Sequence, residues 1–231
     1  MSIAFFVIAP MVLTPYWVAS SVYDVFSWLK IYSVLIFLWV TIILRFSTLI
    51  EKYENAIKIS LYLLLQVNIV EAVLMDASKQ HFSNVLLGVV LMVTLPSWKS
   101  ITLKANTFLA IHWSLPIHWI IAYTLWNWLF VNFQFPMLAG IHLVLLAGPL
   151  IAAFYNQRMW IYYRSHSLGV HLVLIFTFPY QQFYFYTDFT WITAQQSMIA
   201  EIALAIIFTA ISIATKLTTI FSYPKQAPTK N

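Results

Sequence analysis

The sequence contains no cysteine, which excludes disulfides, thiolate metal sites and cysteine nucleophiles. Charge is almost as scarce. Asp, Glu, Lys and Arg make up 8% of the 231 residues, against roughly a quarter in a soluble domain, too few to cover a water-facing surface. There are four glycines and no Gly-x-x-x-Gly spacing, so close glycine-driven helix packing is not signalled and no phosphate-cradling loop exists. A Gly-x-Ser-x-Gly elbow and a His-x-x-x-His zinc pattern are likewise missing. No basic stretch precedes the first apolar run, which holds Pro10 and Pro15, so that run does not read as a signal peptide.

What fills the chain is hydrophobicity, 62% of it, with 18 Phe, 13 Tyr and 10 Trp. About 20 apolar residues cross a bilayer as a helix. Eight candidate spans follow: 2–21, 28–48, 56–76, 82–97, 115–133, 137–156, 168–187 and 196–221, the fourth short enough to be tilted or re-entrant. Many aromatics fall near the ends of these runs, the pattern of an interfacial belt. The expected fold is an all-α integral membrane bundle: one domain over 1–222 and a disordered cytoplasmic tail at 223–231.

The net charge of +5 follows the positive-inside pattern rather than a nucleic-acid footprint. Connections after the even-numbered spans, with the tail, hold Arg45, Lys52, Lys58, Lys99, Lys104, Arg158, Arg164, Lys225 and Lys230. Connections after the odd-numbered spans hold only Lys30 and Lys79, and Lys216 falls inside the eighth span. This alternation predicts that both termini face the cytoplasm of a bacterial inner membrane. Asp24, Asp76 and Asp188 then fall on the outer side. Pro10, Pro15, Pro149 and Pro179 fall within spans, each a kink or a freed carbonyl.

Polar residues inside the spans are the functional candidates, because a charge there costs about 2.5–3.5 kcal/mol on insertion scales. Glu71 lies five residues before Asp76, about 7–8 Å along the axis, and Asn68 shares its helix face. At similar depth the threading places Asn127, His142, Gln181, Gln182 and Glu201, with Trp126 as an apolar wall. An outward-facing pocket of Asn68, Glu71, Trp126, Asn127, His142 and Glu201 would bind a cation, a proton or a small polar molecule. The alternative is that these groups bind helices together. A second layer at the inner edge comprises His112, His118, Arg158, Arg164, His166, His171 and Lys216. Arg158, Arg164 and His166 would there grip an anionic headgroup or phosphate, or serve as ordinary cytoplasmic flanks.

Metal chemistry is weakly signalled. His112/His118 and His166/His171 lie about 240° and 140° apart on a helix, so neither pair shares a face. No motif names a cofactor. The expected partners are the lipid bilayer and a small-molecule or ion ligand, with a homo-oligomer or a membrane partner left open and no nucleic acid. Three functions compete: a binding or transport protein, a membrane-embedded enzyme on a lipid or isoprenoid substrate, and an accessory subunit.

Several stretches give a further clue: "SIAFFVIAPMVLT" (2–14), "WLKIYSVL" (28–35), "NIVEAVLMD" (68–76) and "IIAYTLWNWLFV" (120–131), with weaker likeness through "TFPYQQF" (177–183). Together they resemble a family of bacterial and archaeal multi-pass membrane proteins of unknown function. Many of its members carry one more hydrophobic segment ahead of the first stretch. The resemblance implies that Asn68, Glu71, Trp126 and Asn127 belong to the family's pattern, and it brings no activity.

Overall fold

The computed structural model describes residues 3–19, 25–46, 49–104, 111–178 and 194–222. Among them run eight α-helices: α1 Ala9–Ala19, α2 Val25–Phe46, α3 Leu49–Ser78, α4 Phe82–Thr94, α5 Ile117–Gln134, α6 Ala139–Tyr155, α7 Trp160–Thr177 and α8 Ala194–Ser222. Four stretches are long and apolar enough to cross a membrane: Val25–Leu44, Lys52–Ser78, Pro136–Tyr155 and Gln195–Thr215. Ala4–Ala19 and Phe82–Thr94 are apolar but shorter. These helices mark the chain as a membrane protein.

Proline sets several helix ends. The residue before a proline is pushed out of the α region. Leu95 ahead of Pro96 and Phe178 ahead of Pro179 are accordingly extended, with ψ of 126° and 134°, and Phe135 ahead of Pro136 leaves the helix at ψ 60°. Pro10 acts differently. It has no N–H for the carbonyl of Phe6 four residues earlier, and that turn, Ala4–Ile8, is π-helical. The freed Phe6 carbonyl accepts from Trp39 Nε1 at 2.5 Å, which ties α2 to the start of the chain.

Helix α4 packs on α3, α5 and α8. Helix α7 packs on α1, α2 and α6, and α5 joins α6 to α4. Two apolar cores result, one centred on α3, α4 and α5 and the other on α1, α2 and α7. Five of the ten tryptophans, Trp17, Trp113, Trp119, Trp126 and Trp160, are fully buried, so half of the tryptophans belong to the core rather than to an interfacial belt. Two of these indoles staple α5 to α4. Trp119 Nε1 donates to the Leu91 carbonyl at 3.2 Å and Trp126 Nε1 to the Asn84 carbonyl at 3.1 Å.

Three expectations change. The seventh segment runs over Trp160–Thr177 rather than 168–187, because its first two turns carry Arg164, Ser165, His166 and Ser167, which a hydropathy reading rejects and a protein neighbour accepts. Lys52 and Lys58 lie within α3 and Lys30 within α2, not in connections. Between Pro96 and Pro116 the chain forms an antiparallel hairpin, Ile101–Leu103 with Ile111–Trp113 in the register Ile101↔Trp113. An all-helical reading omits it, and it removes His112 from any helix face. Asp24, Pro179, Gln181, Gln182, Asp188 and the tail 223–231 lie outside the described residues, as do the side chains of Arg45 and Lys216.

Candidate ligand-binding pocket

Helices α2 and α3 are antiparallel across the short connection at 47–48. The two helices pack on one another, and Lys30 meets Asn68 and Glu71. Its Nζ donates to Asn68 Oδ1 at 2.9 Å and lies 3.7 Å from Glu71 Oε2. Ser33 Oγ reaches the same carboxylate oxygen at 3.5 Å. The Lys30 and Glu71 side chains are 13% and 10% exposed, so this is a largely buried ion pair.

A second group joins α5, α6 and α7. Asn127 Oδ1 accepts from Arg164 Nη2 at 3.0 Å and lies 2.6 Å from His142 Nε2. Arginine can only donate, so the amide oxygen is fixed as an acceptor and His142 must carry its proton on Nε2. The His142 and His171 rings are 6.1 Å apart, and Arg164, Asn127, His142 and His171 are all buried.

These groups flank a cavity of about 530 Å3 lined by Lys30, His142 and His171 together with Gln134, Ser27 and an apolar wall that includes Phe26, Phe130 and Phe176. A smaller void of about 40 Å3 lies between α2, α3, α5 and α7 and is lined by Ser33, Asn68, Tyr123, Trp160 and Arg164.

A third polar group sits at the α3–α4 corner. The chain turns there through a left-handed residue, Gln80 at φ 61°, with Gln80 N–H bonded to the Ala77 carbonyl and His81 N–H to the Asp76 carbonyl. His81 is brought between two buried carboxylates, Nε2 at 3.0 Å from Glu201 Oε1 and Nδ1 at 3.5 Å from Asp76 Oδ1. Asp76 also accepts from Asn84 Nδ2 and Gln134 Nε2, both at 2.7 Å. Glu201 accepts from Ser83 and from Ser197. The His81 ring stacks on Phe133 at 3.8 Å. Burial pulls the imidazole down, but Asp76 and Glu201 together outweigh it and hold its pKa up at about 9.

The residues singled out from the sequence thus divide. Asn68 and Glu71 join Lys30, and Asn127 and His142 join Arg164. Glu201 belongs to the α3–α4 corner, with its carboxylate fully engaged. Trp126 packs toward α4, its indole on Asn84 and its ring 3.1 Å from the space a Cβ on Gly88 would take. Arg158, Arg164 and His166 meet different partners. Arg158 sits in a shallow cavity beside Ser114 and Asn156, Arg164 enters the interior, and His166 Nδ1 lies 2.8 Å from the Tyr162 carbonyl with its ring against Tyr162 and Phe6. His171, placed by sequence at the inner edge, instead faces His142. Sequence reasoning missed Lys30 as a site residue. It also missed His81 and Gln134.

A family model described as "Family of unknown function (DUF5692)" matches residues 1–231. No curated protein and no solved structure matches the chain.

Proposed function

Since the chain belongs to that family of unknown function, we propose from the geometry that it is a polytopic membrane protein that binds and carries a small polar molecule. In this reading all eight helices are embedded in a bacterial inner membrane, with both ends of the chain in the cytoplasm. The supporting observation is the convergence of Lys30, His142 and His171 on one cavity of about 530 Å3 with an aromatic wall, a size and composition usual for small-molecule sites. Glu71 is matched by Lys30, which favours a ligand bearing hydrogen-bond acceptors over a bare cation. The wall of Phe26, Phe130 and Phe176 would exclude water and hold the ligand's apolar part, while the lysine and the two imidazoles orient its polar end.

Leu172 lines the cavity, and Leu172→Trp would narrow it while leaving its polar side chains in place. Metabolites extracted from the purified wild-type protein and from this variant are compared by mass spectrometry. The expected result is a small polar compound near one equivalent with wild type and its loss in the variant at unchanged melting temperature. Equal recovery from both proteins, or none from either, would overturn the reading.

A further inference from the structure

The void of about 40 Å3 is separate from the larger cavity, and it is lined by unused donors. Trp160 and Arg164 stand one turn apart on α7 and both line it. Trp160 is fully buried and Arg164 is 3% exposed. Trp160 Nε1 and Arg164 Nε and Nη1 have no hydrogen-bond partner. Two buried side chains therefore bring three unused N–H donors and no unused acceptor. Each such donor is costly to leave buried and unpaired, more so when it is charged.

The charge balance points the same way. Arg164 meets two neutral oxygens, Asn127 Oδ1 at 3.0 Å and the Tyr123 hydroxyl. Among the described residues the ion pairs are Lys30–Glu71, Lys58–Glu54, His81–Asp76 and His81–Glu201, and Arg164 is in none of them. A buried charge without a counter-ion costs several kcal/mol, and proteins match such charges. The nearby carboxylate, Glu71, is already matched by Lys30.

We propose that this void is a binding site for a monatomic anion, a halide, held by the guanidinium of Arg164 and the indole N–H of Trp160. The donor set and the adjacent positive charge exclude a metal cation. The space, about 40 Å3, is small and suits a monatomic ion better than a phosphate or sulfate. Water is the weaker match because, although the Ser33, Asn68 and Tyr123 oxygens can take its hydrogens, it leaves the Arg164 charge unmatched. The anion serves as the counter-ion that lets α7 carry an arginine through the bundle against α2, α3 and α5. This site stands or falls independently of the larger cavity.

The test uses the purified full chain in detergent, with sodium gluconate exchanged for sodium bromide or chloride at constant ionic strength. Bromide quenches indole emission on contact, so its occupancy beside Trp160 is read directly. The expected result is a saturable quench by bromide, reversed by chloride, and a saturable rise in melting temperature with either halide but not with sulfate. Trp160→Phe should remove the saturable quench while the bromide-dependent rise persists. Arg164→Met should weaken half-saturation by more than about tenfold. Should Arg164→Met fail to fold, the competition between chloride and bromide in wild type decides alone. A quench strictly linear in bromide, or a melting temperature that rises equally in gluconate and sulfate, would overturn the proposal and assign the void to water.

Discussion

Single residues in this chain matter in proportion to what their removal leaves behind. Lys30 and Glu71 lie 3.7 Å apart and are mostly shielded from solvent. Removing one strands the other, at about 3–5 kcal/mol for a buried pair, whereas replacing both with apolar groups of similar volume is near neutral. Glu71→Leu and Lys30→Met should each lower stability by that order, and the double variant should recover most of it, read as unfolding midpoints in a denaturing-detergent titration. A loss in the double variant equal to the sum of the two single losses would mean that the two residues do not interact. His81 supplies a test in pH. Its pKa in the folded protein, about 9, lies above the ordinary value near 6.5. The stability it contributes against Asp76 and Glu201 is therefore fully present below about pH 6.5 and is lost as pH rises through about 9. Melting temperature should fall over that window in wild type and fall less in His81→Gln.

At the scale of helices, close packing falls on positions that no glycine motif marked. A Cβ on Gly88 would lie 2.5 Å from Val73 Cγ2 of α3, and one on Gly169 would clash with Leu38 of α2, whereas Gly148 faces open space. Gly88→Leu should cost about 1–3 kcal/mol through overpacking. Gly148→Ala should be neutral or gain up to about 1 kcal/mol from helix propensity. The same unfolding titration separates them, and similar losses at the two sites would contradict the crossing. Helix positions were legible wherever apolar runs are long and proline ends them, as at Leu95 and Phe135. The start of α7 was not, because hydropathy scores Arg164 and His166 as solvent-facing and is blind to Asn127 across the helix pair. The corner of Asp76, His81 and Glu201 was hidden for a related reason. Its members come from α3, the turn and α8, and no spacing in the chain relates residue 81 to residue 201.

For the whole molecule, the decisive quantity is how many of the helices lie in lipid. Four are long and apolar enough by themselves. Helices α5 and α7 have 18 residues each, enough for about 27 Å at 1.5 Å per residue, but they carry the polar groups of the pocket. Both bury those groups against neighbours: Asn127 and Arg164 on one another, and His171 beside His142 with the rings 6.1 Å apart. A helix whose polar face is covered by protein presents only its apolar face to lipid, so composition alone undercounts such spans. The proposed eight-span reading needs α5 and α7, and the shorter α1 and α4, to cross as well, and an even number would return the chain to the side where it began. The lysines and arginines around 45–58, 99–104 and 225–230 would then share one solution, which the positive-inside rule would make the cytoplasm. Single cysteines introduced at Ser2, Lys79, Lys99 and Thr229 in this cysteine-free chain can be probed with an impermeant maleimide on intact cells. Lys79→Cys should label from outside, and the other three only after the membrane is opened. Labelling of Ser2→Cys and Thr229→Cys from opposite sides would leave an odd number of crossings. That result would overturn the eight-span reading.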